Sequence, residues 1–162
     1  ILDITMPGLN GIEVTHRLHN EYPDIHVIIL SMHSDRQFIL ESLRAGARGY
    51  VLKDSAYQDL RAAIARVMRG NVYLSPEILH VVVDAAITPG ESGDTPYEVL
   101  STREREVLQM LSEGQKTRQI ADSLSVSQKT IESHRKNIMD KLNLHSIAEL
   151  TKYSIRHGLT DL

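Results

Sequence analysis

Three side chains in the first third of the chain, Asp3, Ser31 and Lys53, have the types needed for phosphoryl chemistry. A carboxylate can act as a nucleophile and form an aspartyl phosphate. A hydroxyl and an ammonium can then hold the phosphoryl oxygens, while a hard cation such as Mg²⁺, bound through carboxylate and carbonyl oxygens, neutralises charge during transfer. Taken singly, each of the three reads more simply as a polar strand-end residue leaving the core for water. A second set lies between Ser127 and Leu142, where Lys129, Arg135, Lys136 and Lys141 face only Glu132 and Asp140. At about 100° per residue, Lys129, Glu132, Ser133 and Lys136 fall on one side of a helix. That face suits base edges and phosphates, and it suits plain solvation too.

The elements that must position these groups follow from the pattern. Asp3 closes the apolar run ILD, and Pro7, Gly8, Asn10 and Gly11 predict a turn after it. A helix is expected over about 12–20, and the run 25–32 (IHVIILSM) reads as a strand buried on both faces of a parallel sheet. A helix over about 35–45, a strand over 49–52 and a helix over about 57–68 continue the alternation. Repeated strand–helix units imply right-handed crossovers and an α/β doubly wound layer, in which ligands sit beyond the carboxyl ends of the strands. Asp3, Ser31 and Lys53 occupy three such ends and would converge.

Residues 71–97 break the alternation. They carry a short apolar helix candidate from Pro76 to about Ala86 and a Pro/Gly-rich stretch from Thr88 to Pro96 with linker composition. Three segments are therefore expected: 1–70, a linker with a short helix over 71–97, and 98–162. In the last, Ser101 and Glu104 form a capping box opening a helix to about Ser112, with Val107, Leu108 and Leu111 inward and Gly114 ending it. Thr117 is an N-cap candidate for a helix bearing Ile120, Ala121 and Leu124. Ser125–Ser127 breaks that pattern, and Ser127 can cap a second helix in which Ile131, Ile138 and Leu142 share a face. Ser146 caps a last helix, with Ile147, Leu150 and Ile155 as its main apolar positions. Two short helices around one tight turn, the second with a polar front, is the helix-turn-helix design.

Composition excludes several classes. Cys is absent, so disulfide staples and cysteine metal sites are excluded, and a reducing cytoplasm is the expected location. No apolar run approaches a membrane span and no signal pattern is visible. His16 and His19 are three apart on a helix, yet no third ligand is placed to complete a metal site. The net charge of −3 argues against a general nucleic-acid binder. Its distribution matters more: 8 Lys+Arg against 12 Asp+Glu over 1–96, but 10 against 9 over 97–162. So modest an excess favours dimers on paired half-sites.

The segment LSTREREVLQMLSEGQKTRQIADSLSVSQKTIESHRKNIMDKL, followed by AEL and RHGL, resembles the LuxR-type (NarL/FixJ) DNA-binding domain over about 99–159. DITMPGLNG, ILSM and GYVLK resemble the phosphoacceptor, switch and lysine segments of response-regulator receiver domains over roughly 1–70. The resemblance implies a flavodoxin-like receiver followed by an all-α four-helix domain. It makes Asp3 the phosphorylated aspartate, the Thr5 carbonyl a Mg²⁺ ligand beside Asp3, and Ser31, Tyr50 and Lys53 the switch hydroxyl, switch aromatic and lysine. It gives Glu132, Ser133 and Lys136 base-reading positions, with Lys129, Thr130, His134, Arg135 and Lys141 as phosphate contacts. For His134 a packed position on the helix is an equal alternative. Ile147 and Leu150 would lie on a helix that forms the dimer contact; the plainer reading is a helix closing the four-helix core, and one role does not exclude the other.

The family's acidic pair, which completes the Mg²⁺ site, has no counterpart in these residues, and the chain starts with Ile inside a strand. A fragment with an incomplete receiver and an exposed third-strand edge is therefore expected. The function implied is a two-component transcription regulator, not an enzyme. A sensor histidine kinase would phosphorylate Asp3, and the homodimer would bind double-stranded promoter DNA. The alternative is a phosphorylation-independent DNA-binding regulator whose receiver remnant is a dimerisation or inhibitory module. An aspartyl-phosphatase type of enzyme is a third reading, disfavoured because no acid/base pair is evident.

Overall fold

The computed structural model describes residues 1–6, 9–87 and 99–160, which fall into two compact units, one on each side of residues 88–98. The turn at Pro7–Gly8, the Thr88–Pro96 linker and the boundary near residue 97 lie outside the described residues.

In the first unit the order is α1 (Gly11–Glu21), β1 (Ile28–Ser31), α2 (Arg36–Arg44), β2 (Gly49–Leu52), α3 (Ala56–Val67), β3 (Tyr73–Leu74) and α4 (Leu79–Ile87). The strands form a parallel sheet in the order β1-β2-β3, with Ile28 opposite Gly49 and Ser31 opposite Leu52. Leu2 adds a parallel bridge to Ile29, so the ILD run joins β1 on the side away from β2. Strand alternation divides the apolar residues: Ile28 and Val51 pack against Ala63 and Val67 of α3. Ile29 and Tyr50, one residue on, point to the opposite face and are fully buried. This is the parallel α/β layer that the alternation predicts.

Three expectations need correction. The strand expected over 25–32 is only Ile28–Ser31, because pairing partners exist only there; Ile25 and Met32 are exposed. The sheet does not stop before residue 71: Tyr73 donates its N–H to Arg48 O and Ser75 to Tyr50 O, so the free edge of β2 recruits two residues expected in the linker. The helix expected from Pro76 begins as a 3₁₀ turn, Pro76–Ile78, and only then becomes α4.

The second unit holds α5 (Thr102–Ser112), α6 (Thr117–Ser123), α7 (Gln128–Leu142) and α8 (Ile147–Arg156) around Val107, Leu108, Leu111, Ile120, Ile131, Ile138, Leu150 and Leu159. Ser101, Ser127 and Ser146 cap α5, α7 and α8 as expected. Thr117 does not cap α6: Lys116 is the N-cap, and its N–H is taken up by the Gln119 side chain at 2.8 Å. The turn between α6 and α7 places Ser125 in the left-handed region at φ 54°, and Asn143 ends α7 at φ 52°.

Candidate functional site

The three strand-end residues do converge. Asp3 follows the Leu2 bridge, Ser31 ends β1 and Lys53 follows β2, and the Lys53 ammonium forms an ion pair with the Asp3 carboxylate. Both side chains are about one-third exposed, so a donor molecule can reach them. The Asn10 side chain accepts the Glu13 N–H at 3.0 Å and caps α1. Gly11 then donates to Ile4 O at 2.8 Å, and a Cβ at Gly11 would lie 2.0 Å from Asp3 O. Only glycine permits that approach.

Ser31 and Tyr50 meet through His33. Ser31 is fully buried and its Oγ accepts the His33 N–H at 3.1 Å, while the Tyr50 hydroxyl donates to His33 O at 2.8 Å. Burial pushes the Tyr50 phenol far above its usual range, a Ser31 hydrogen bond opposes this, and the charges of Asp35 and Asp3 add to it. Tyr50 therefore stays a donor at any working pH. Thr5 is half-buried, with its hydroxyl 3.5 Å from His33 Nε2, and the His33 ring stacks on Phe38 with centroids 4.3 Å apart. His33 is thus central to the site without having been singled out in the sequence; only its place two residues after Ser31 signalled it.

A carboxylate such as that of Asp3 and a backbone carbonyl such as that of Thr5 are hard oxygen donors of the kind Mg²⁺ takes. No cluster of three His, Cys, Asp or Glu side chains exists among the described residues. His16 and His19 belong to no such cluster among those residues.

On the second unit, α7 presents Lys129, Glu132, Ser133, Arg135 and Lys136 to solvent while Ile131 and Ile138 are fully buried. Thr130 and His134 are half-buried, and the Thr130 N–H is held by Ser127 Oγ at 3.1 Å. Ser133 turns its hydroxyl back to Lys129 O at 3.0 Å, leaving its oxygen lone pairs outward. Lys141 is already engaged: its ammonium lies 2.7 Å from Glu104 on α5. Ile147 is 36% exposed, whereas Leu150 is at 0%. Leu150 closes the core and has no free surface for a dimer contact, because α8 turns it toward α5.

Two residues of α5 make contacts to distant helices that the sequence does not reveal. Arg103 on α5 donates to Glu106 and to Leu124 O, each at 2.8 Å, fixing the C-terminal end of α6 where the turn to α7 begins. Glu104 closes the capping box with Ser101 and receives Lys141 from the far end of α7. Arg103 thus ties α5 to the end of α6, and Glu104 ties it to the end of α7.

Residues 1–65 match the family described as response regulator receiver domain, and 98–154 match bacterial regulatory proteins, luxR family. The chain is 36% identical over 166 residues to the oxygen regulatory protein NreC of Staphylococcus carnosus (strain TM300), covering 99% of this chain and 76% of that protein. It is 35% identical over 159 residues to the response regulator UvrY of Escherichia coli (strain K12), covering 98% and 72%. A crystal structure described as a two-component response regulator, LuxR family, from Aurantimonas sp. SI85-9A1 superposes with a TM-score of 0.50 at 32% identity, covering 54% of this chain and 62% of that one. The chain belongs to the two-component response regulators that join a receiver domain to a luxR-type DNA-binding domain.

Proposed function

We propose that Asp3 is the phosphoacceptor of this regulator and that α7 is the helix through which it binds double-stranded promoter DNA. The ion pair between Asp3 and Lys53 carries the first part: it puts a nucleophilic carboxylate and a phosphate-holding ammonium on one accessible site. The Asp3 carboxylate and the Thr5 carbonyl would hold Mg²⁺, which would supply charge neutralisation for phosphoryl transfer. Lys53 orients the carboxylate, and after transfer its partner becomes a phosphoryl oxygen. The Ser31 hydroxyl, whose oxygen accepts the His33 N–H, still has its proton to donate to that group, and Tyr50 is linked to it because it binds the same residue 33.

On α7, Lys136 suits guanine O6/N7 and Glu132 suits cytosine N4, with Ser133 between them. Lys129, Thr130, Arg135 and, on its half-buried side, His134 flank them toward the phosphates. Lys141 contributes less, being held by Glu104. The partners are a sensor histidine kinase and a second copy of the chain on paired half-sites, with Ile147 rather than Leu150 at the surface of α8.

The test treats the protein with a small acyl phosphate and Mg²⁺. A phosphoryl-sized mass gain that disappears in Asp3→Ala, with tighter binding to a promoter duplex, is the expected result. A mass gain that survives Asp3→Ala would sink the assignment of Asp3. Equal DNA binding with and without the donor would favour the phosphorylation-independent regulator.

A further inference from the structure

Beside the base-reading face of α7 lies an open cleft of about 420 Å³ whose lining includes Arg135, Lys136, Met139, Asp140, Leu144 and His145. Glu132 closes its other end. His145 belongs to the short loop between α7 and α8, not to α7 itself, and its side chain is exposed. The loop is held firmly there. The left-handed Asn143 ends α7, Leu144 donates to Met139 O at 3.0 Å, and the His145 N–H is bound by the Glu149 carboxylate at 2.6 Å. The loop conformation thus brings a third nitrogen side chain up to Arg135 and Lys136.

We infer that this cleft receives a backbone phosphate at the edge of the major groove, and that His145 is a DNA-contact residue. The inference rests on the reading of α7 as the DNA helix. From Lys136 to Asp140 is about one turn, roughly 6 Å along the axis. The major groove is only about 12 Å wide. When Glu132 and Lys136 reach base edges inside the groove, the Met139–His145 end of the cleft stands where the groove gives way to the sugar–phosphate strand. Arg135 and His145 supply donors there, and the cation forms of both suit an anion. Met139 and Leu144 supply the apolar part of the lining. Asp140 is the opposing charge in the cleft, as Glu132 is at its base-reading end and Glu149 behind the loop.

The experiment selects a binding duplex from a random-sequence pool using the wild-type chain, then measures affinity across a series of KCl concentrations. Wild type, Lys136→Ala, His145→Lys, His145→Gln and Asp140→Asn are compared. Each phosphate contact steepens the log–log salt slope by about 0.9. His145→Lys is expected to bind several-fold tighter than His145→Gln with a slope steeper by about that amount, and Asp140→Asn to bind tighter than wild type. A merely structural loop residue would show no advantage of Lys over Gln. Identical slopes for the two His145 variants, with binding still lost in Lys136→Ala, would overturn the inference and leave the DNA reading standing. Failure of wild type to enrich any duplex overturns the DNA reading itself. Inorganic phosphate at matched ionic strength displacing the duplex from wild type but not from His145→Gln would assign the cleft to a small anion and overturn the backbone contact.

Discussion

Leu150 and Ile147 lie three residues apart on α8 and have opposite fates. Leu150 is at 0% exposure among Val107, Leu108 and Ile138, whereas Ile147 is 36% exposed. Leu150→Ala leaves a cavity and is expected to destabilise the second unit by about 2–5 kcal/mol, while Ile147→Ala costs well under 1 kcal/mol by contrast. Denaturant unfolding of the two variants measures the difference, and equal effects would contradict the placement. Glu104 gives a second residue-level expectation. Burial alone would raise its carboxyl, but hydrogen bonds from Lys141 and from the Ser101 backbone and hydroxyl outweigh this, and it sits below its ordinary value of 4.5. A depressed carboxyl contributes stability that is present above the unfolded value and is lost as pH falls through the folded one. Acidification below about pH 4.5 should therefore erode the stability of wild type more steeply than that of Glu104→Gln. Denaturation midpoints compared at neutral and acid pH carry this test, and parallel pH profiles would refute it.

At the level of elements, local signals were legible and long-range ones were not. The caps at Ser101, Ser127 and Ser146 could be read because a cap and its partner lie within three residues. The buried faces of α5 and α7 could be read because periodicity is also local. β3 could not: two residues have no period, and Tyr73–Leu74 is a strand only because β2 offers Arg48 O and Tyr50 O at its edge. The link from Arg103 to Leu124 O spans 21 residues and leaves no local mark. Lys141 looked like one more phosphate contact because its partner, Glu104, is 37 residues away. The β3 segment makes its own prediction. Ser75 is fully buried; its Oγ donates to Asp59 at 2.6 Å and accepts the Leu52 N–H at 3.2 Å, tying α3, the end of β2 and the start of the 3₁₀ turn together. Ser75→Ala strands the Leu52 donor and should destabilise the first unit by about 1–3 kcal/mol. Hydrogen exchange at Leu52 should quicken by a corresponding factor, and unchanged protection there would show that the clasp contributes nothing.

For the whole molecule, the proposed roles of Asp3 and α7 raise the question of how a phosphoryl group on the one would change what the other does. A ligand or modification shifts an equilibrium only by its differential interaction with the two states. In the first unit that difference has a visible source: Ser31 Oγ is bound to the His33 N–H, and Tyr50 to the carbonyl of the same residue. A phosphoryl group that takes the Ser31 O–H and draws that side chain toward Asp3 would weaken the first bond and, through residue 33, the second. Allosteric couplings of this kind typically amount to about 1–3 kcal/mol, a change of roughly 5- to 150-fold in affinity. Ser31→Ala removes the hydroxyl while leaving Asp3 and Lys53 in place. The variant should still gain a phosphoryl group from the acyl phosphate and still bind duplex DNA at the unphosphorylated level. What it should lose is most of the ratio between phosphorylated and unphosphorylated affinities, measured by titrating one duplex with each form. Retention of the full ratio in Ser31→Ala would mean that the signal leaves Asp3 by another route, with the Lys53 ion pair as the remaining contact that phosphorylation must rearrange.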